Sequence, residues 1–179
     1  MLAFIVLIAS VSVSNADITR IGNWTTGLTH TPGAGNNRLL VFVTSMENIG
    51  DRDITNVTYG GQTMTQVVED SEFAGASLYS RCEIWVLNEL GIQAATGNTF
   101  VATYSGTPSS FSTAHAAATF QNVDQSVSIV DSASNTSKDQ ATISTPSFTV
   151  NEGGMGVSGA VHGSGGSYDD NGWGAGWVE

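Results

Sequence analysis

After residue 17, apolar and polar residues alternate over most of the chain with a period of two, which sends successive side chains to opposite faces of a strand. Arg38 to Met46 (RLLVFVTSM) reads as a mostly apolar strand, entered through the turn-forming run Pro32-Gly33-Ala34-Gly35-Asn36-Asn37. Thr55 to Tyr59 and Gln62 to Val68 flank Gly60-Gly61, a pair free to adopt the positive φ of a two-residue type I′ hairpin turn. Ala76 to Asn88 reads as a long strand, with Leu78, Ser80, Cys82, Ile84, Val86 and Asn88 on one side and Trp85 in the core. Asn98 to Ser105, Phe111 to Gln121, Val127 to Ala133, Ala141 to Val150 and Met155 to His162 follow as further strands, separated by Gly, Pro, Ser or Asn. Helix is confined to a single turn at Glu89 to Ala95. Short strands with turn residues between them and no alternating helices predict an all-β fold. The expected form is a two-sheet antiparallel β-sandwich, jelly-roll-like, of about nine or ten strands.

Residues 1–16 stand apart from this pattern. Met1 to Val13 carries no charge and is shorter than the roughly 20 apolar residues of a transmembrane helix, so no transmembrane span is expected. It fits the apolar region of a signal peptide, with Ser14-Asn15-Ala16 as cleavage site and Asp17 first in the mature chain, although no Lys or Arg precedes it. It equally fits a strand buried on both faces, in its own sheet or a neighbour's, with Leu2, Phe4, Val6 and Ile8 as subunit contacts. Both readings stay open at this level. Residues 17–179 make a single β-sandwich domain. Its glycine-rich tail places Tyr168, Trp173 and Trp177 close to the end, so either an apolar element docks there or the sandwich lacks its last strands.

Charge narrows the function. Sixteen acidic residues against five Lys and Arg give a net charge of −11. That balance excludes gripping a phosphate backbone, so nucleic acid is not expected as a partner. Charged residues are only 12% of the chain while 40% are hydrophobic, a composition that folds rather than one that stays disordered. Cys82 is the only cysteine, so neither an internal disulfide nor a cysteine-based zinc site is available. Low charge with abundant Ser, Thr and Gly suits an extracellular or cell-surface protein.

The reactive residue types are scattered. His30, His115 and His162 show no paired zinc spacing; His115 shares a strand face with Phe111, Thr113, Ala117 and Thr119 and reads as a hydrogen-bonded or exposed side chain. No G-x-S-x-G elbow is present for a serine nucleophile. Glu69, Asp70, Glu72 and Glu83 have the carboxylates of a glycosidase, but adjacent acids after a hairpin read first as a solvated strand end. Two loops offer oxygen ligands for structural calcium: one holds Asp51 and Asp53, the other Asp169 and Asp170. Asp and Asn also make ordinary turns with no ion. Tyr168, Trp173 and Trp177 lie in a loop region and are candidates for glycan or partner contact, with Trp24 a further aromatic.

Four motifs carry a resemblance: Gly35-Asn36-Asn37-Arg38-Leu39-Leu40-Val41, Val57-Thr58-Tyr59-Gly60-Gly61-Gln62-Thr63-Met64-Thr65, Glu83-Ile84-Trp85-Val86-Leu87-Asn88-Glu89 and Phe120-Gln121-Asn122-Val123-Asp124-Gln125. In order and spacing the chain resembles a group of secreted bacterial β-sandwich modules marked by an NRLLV strand and a VTYGGQ hairpin. The resemblance spans roughly Thr19 to Val161 and implies a surface role in adhesion, scaffolding or glycan contact, with no catalytic residues. The sequence therefore predicts a non-enzymatic building block of a surface fibre, layer or adhesin. Polymerisation would come from adding residues 1–13 as a strand to the next subunit, with self-association or other surface proteins as partners. The alternative is a carbohydrate-binding module of a larger secreted protein, taking glycans as ligands.

Overall fold

The two strands most strongly marked by alternation, β2 (Leu39–Ile49) and β6 (Leu78–Asn88), lie side by side at the centre of a sheet. They pair antiparallel along their full length, from Leu39 opposite Asn88 to Ile49 opposite Leu78. The computed structural model describes residues 16–75, 77–107, 113–136, 146–159 and 161. Around β2 and β6 the five-stranded sheet is completed by β1 (Thr19–Thr26), β8 (Thr113–Gln121) and β5 (Thr65–Gly75), in the order β1-β8-β2-β6-β5. A three-stranded sheet, β4-β3-β7, holds β3 (Ile54–Tyr59), β4 (Gln62–Thr63) and β7 (Phe100–Tyr104). A short helix, α1 (Glu89–Ala94), is the only helix among the described residues. An isolated bridge from Thr29 to Thr99 and a bond from Phe100 N–H to the Leu28 carbonyl, 2.9 Å, lay the chain at Leu28–His30 beside β7.

All strand pairs are antiparallel, and the chain passes between the sheets after β2, β4, β6 and β7. That is the crossing pattern of a jelly-roll sandwich, with eight strands in the described residues. The main core lies between the sheets: Leu40, Phe42 and Met46 of β2, Trp85 and Leu87 of β6, Val57 and Tyr59 of β3, and Phe100 of β7. A second cluster covers the outer face of the large sheet, with Leu39, Val41, Val86, Ala118 and Phe120 packed under Ile18, Val123 and Val157. β2 and β6 are thus apolar on both faces because both faces are covered.

Gly60 and Gly61 have φ of +53° and +84°, as the type I′ turn requires. Gly60 also has no room for a side chain: a Cβ there would lie 2.5 Å from the Gly97 carbonyl oxygen. The four sequence motifs converge at this end of the sandwich. The Arg38 guanidinium and backbone N–H donate to the Glu89 carboxylate, the closest contacts being 2.6 Å. Gln125 accepts from the Glu89 N–H at 2.9 Å and donates to the Arg38 carbonyl at 3.3 Å. Asn88 caps α1 by accepting from the Gly91 N–H at 3.0 Å. One node thus ties together the start of β2, the end of β6 and the segment after β8.

Three expectations are corrected. Val127 to Ala133 forms no strand: Asp124 accepts from the Ser126 N–H at 2.8 Å, and Asp131 from Ser132 and Thr149, so side chains take the bonds a ladder would need. Residues 146–150 and 155–159 are also not strands. The latter stretch lies across the outer face instead, so close that a Cβ on Gly159 would meet Val43 at 2.5 Å and Cys82 Sγ at 2.9 Å. Conversely β1, read as no element from the sequence, is an edge strand with a bulge at Gly22, whose φ is +70°. Its residues are mostly exposed, so its ladder to β8 leaves little hydrophobic signal.

Candidate functional site

Along the inner face of β6 the side chains change from apolar to charged: Leu87 and Trp85, then Glu83 and Arg81. Glu83 is wholly buried and Arg81 is 6% exposed. Two neighbouring segments bring acids to them. The β2–β3 connection turns at Gly50, with φ of +76°, and carries Asp51 and Asp53. A bulge in β5 between Gln66 and Val68 places Glu69 directly opposite Glu83. The Arg81 guanidinium therefore sits among four carboxylates. Nη2 donates to Asp51 at 2.9 Å; Nη1 donates to Asp53 at 3.2 Å and to Glu69, and lies 3.7 Å from Glu83 Oε1. Burial alone would lower the Arg81 pKa, but the Asp51 hydrogen bond and the fields of Glu69, Asp51 and Asp53 outweigh it and raise it.

The two oxygens of Glu83 differ. Oε2 accepts from the Trp85 indole at 2.8 Å and from the Gln66 amide at 3.2 Å. Oε1 is buried and meets no hydrogen-bond donor among the described residues. Burial raises the Glu83 pKa above the ordinary carboxylate range, against the opposing pull of Trp85 and Arg81. One carboxylate oxygen each from Asp53, Glu69 and Glu83 lies within 4.8 Å of the others. The glycosidase reading of Glu69 and Glu83 gains a close pair but loses access, because a sugar cannot reach a wholly buried Glu83.

Two of the three histidines, His30 and His115, are packed into the fold, and His162 lies outside the described residues. His30, 5% exposed, bonds Thr25 through Nδ1 and Thr119 through Nε2, both at 2.8 Å. His115 Nδ1 meets the Thr44 hydroxyl at 2.9 Å. Burial lowers both pKa values, so below pH ~6.5 the unfolded chain binds protons that the folded one refuses, and stability falls with the pH. Glu89, held at a pKa of about 2 chiefly by hydrogen bonding to Arg38, adds a loss as the pH falls from ~4.3 toward that value. Glu83 works the other way: its raised pKa means that acid stabilises the fold through this group until the unfolded carboxyl also protonates. Thermal unfolding is expected to show a midpoint that drops as pH falls from 7.5 to 5, with a flatter profile in His30→Gln. A midpoint rising across that window would mean that Glu83 outweighs the histidines.

Cys82, on the outer face beneath Gly159, has its thiol pKa pushed up to about 11 by burial and by Glu83, which leaves it protonated and unreactive near neutrality. A groove of about 550 Å³ runs beside the start of β5, lined in equal part by apolar residues (Leu39, Val67, Val86, Leu87, Val127 and Ile129) and by polar ones (Thr63, Thr65, Gln66, Asn88, Ser126 and Ser128). Trp24, 36% exposed, packs edge-on against Phe120 at 6.3 Å.

Of the residues singled out from the sequence, Asp51, Asp53, Glu69 and Glu83 are brought together around Arg81. Asp169, Asp170, Tyr168, Trp173, Trp177, Leu2, Phe4, Val6 and Ile8 lie outside the described residues. Sequence reasoning missed Arg81 as the centre and Glu83 as a buried member. The usable signal was two charges on a strand whose neighbouring positions on both faces are apolar.

Fold and interior together define an all-β sandwich module. No family model, curated protein or solved structure matches the chain.

Proposed function

We propose that this protein is a non-enzymatic structural module of an extracellular surface, joined to its neighbours by strand addition. The observation that carries the reading is the groove beside the edge of β5 that pairs with no strand among the described residues. At Thr65–Val68 this edge is uncharged and flanked by groove walls that mix apolar and neutral polar side chains, whereas Glu69, Asp70 and Glu72 charge the rest of the strand and discourage indiscriminate pairing. An extended segment pairing there gains main-chain hydrogen bonds and can drop alternate side chains into the groove. The apolar run Met1 to Val13, whose alternation would put Leu2, Phe4, Val6 and Ile8 on one face of an added strand, has the composition for that role. Donation to the next copy rather than to its own sheet produces a head-to-tail, open assembly. The resemblance to secreted bacterial sandwich modules agrees with a surface location, and the interior use of His30, His115 and Arg81 agrees with a structural role.

Deleting residues 1–13 is expected to convert assemblies into monomers, read by light scattering coupled to size exclusion and by negative-stain microscopy. Val67→Lys in the full chain, which puts a charge into the groove, should have the same effect. Assemblies that survive both changes would sink the proposal.

A further inference from the structure

We propose that, given strand addition as the function of the groove beside β5, residues 2–8 of an isolated subunit lie in that subunit's own groove, so that assembly begins only when they leave it for a neighbour. The point from which this segment departs is fixed. The Asp17 carbonyl accepts from the Asn122 amide at 3.0 Å, the Ile18 N–H donates to the Gly153 carbonyl at 3.0 Å, and Thr19 lies opposite Gln121. That point and the groove share one end of the large sheet. Across this end the register runs from β1 to β5 with Thr19 opposite Gln121, Phe120 opposite Leu39, Leu39 opposite Asn88 and Val86 opposite Thr65. Left open, an uncharged sheet edge beside apolar side chains invites indiscriminate pairing, and a tethered segment is the nearest cover for it.

The reach is sufficient. β5 starts at Thr65 and runs away from this end, so a strand added antiparallel to its edge leaves the groove here, with Ile8 last. Neighbouring strands are about 4.8 Å apart, and five such steps separate the added strand from β1, which sets a span of about 24 Å to Asp17. Residues 9–16 (ASVSVSNA) are small and uncharged, and the nine Cα–Cα steps from Ile8 to Asp17 extend to about 30 Å. The span is therefore covered, but it uses most of the linker's extended length. A short tether holds its segment at an effective concentration of up to about 10⁻³ M, so in dilute solution the subunit's own segment wins the groove over a neighbour's. The nearly taut linker keeps this closure weak enough to be displaced when subunits are concentrated.

The test is amide hydrogen exchange at residues 65–68, read by NMR on the full chain diluted until light scattering shows monomers, together with the concentration at which each variant assembles. Deleting residues 11–14 leaves five Cα–Cα steps, about 17 Å, too short to close on the same subunit. Replacing those four residues with Gly-Ser-Gly-Ser keeps the length. The outward amides of the full-chain monomer and of the Gly-Ser variant should exchange about tenfold or more slowly than in the chain lacking residues 1–13. The chain lacking residues 11–14 should exchange there as fast as the chain lacking residues 1–13 while monomeric, yet assemble at a concentration about tenfold or more below that of the full chain. Equal exchange in the full-chain monomer and in the chain lacking residues 1–13 would overturn self-closure. So would a chain lacking residues 11–14 that assembles no more readily than the full chain. If assembly then still depends on residues 1–13 and is blocked by Val67→Lys, strand addition stands and self-closure alone falls. If neither the full chain nor the chain lacking residues 11–14 assembles at any concentration, both fall.

Discussion

Arg81→Ala is expected to destabilise the fold by about 3–5 kcal/mol, the cost of leaving a buried charge without its partner. The loss should come through Glu83 rather than through the other three acids. Asp51, Asp53 and Glu69 have side chains about half exposed, so water screens them once the guanidinium is gone, and each such pair is worth at most about 1 kcal/mol. Glu83 has no such recourse. Its side chain is 0% exposed, its Oε1 already lacks a donor, and the guanidinium 3.7 Å away is the nearest cation to it. Removing the charge should therefore rescue the variant. In Arg81→Ala/Glu83→Gln the amide oxygen can keep the Trp85 and Gln66 bonds, while the neutral side chain no longer needs a buried cation beside it. Urea unfolding of the wild type, both single variants and the double variant measures the coupling. The double variant should recover at least half of the loss, and the deficit of Arg81→Ala relative to the wild type should shrink as the pH is lowered from 7 toward 5. A loss below about 1 kcal/mol, or no rescue by Glu83→Gln, would show that Arg81 acts by packing its stem and not by neutralising Glu83.

The same cluster shows how far the sequence could be read. β2, β6 and the Gly60-Gly61 hairpin were legible because a strand covered on both faces must be apolar on both, and because a two-residue turn with positive φ favours glycine. The C-terminal apolar segments misled for a related reason. Val127, Ile129 and Val157 alternate like strand residues, yet alternation reports only that one side is covered, not that a backbone partner exists. Val157 finds its cover by lying on the large sheet, and the acids at Asp124 and Asp131 divert the neighbouring backbone bonds. β1 has the opposite character, being held by ladder bonds to β8 and exposed along most of its length. In the site, loop position was enough to single out Asp51 and Asp53. Their convergence on Arg81 depends on a β5 bulge and on the register of β6 against β2, neither of which follows from local pattern. Still, Arg81 and Glu83 alternate with Cys82, Ile84 and Val86 and share a face with Trp85 and Leu87. A strand so apolar on both sides implies that charges within it are buried together.

Phe42→Ala is the second large effect, expected to cost about 3–5 kcal/mol through lost burial and an unfilled cavity. Phe42 is 0% exposed and joins the two sheets. Within the large sheet its cross-strand neighbours are Trp85 of β6 and Ala117 of β8. Across the core it stacks on Phe100 of β7, with ring centroids 4.3 Å apart and planes 22° from parallel. Phe100 in turn contacts Tyr59, whose hydroxyl donates to the His30 carbonyl at 2.7 Å. The ring occupies the space that Ala117 leaves, so truncation sets two alanines side by side facing Phe100, and neither can close the gap. His115 adds a consequence that a simple cavity would not. Its ring stacks on Phe42 at 5.5 Å, so removing the benzyl group opens its surroundings and should move its pKa back up toward ~6.5. The checks are the urea midpoint at unchanged m value and the titration of the His115 ring protons by NMR. Leu90→Ala, at a position 73% exposed on α1, is the control and should change stability by less than about 0.5 kcal/mol. A Phe42→Ala loss as small as that of Leu90→Ala would mean that the sheets are held together elsewhere than at the Phe42–Phe100 stack.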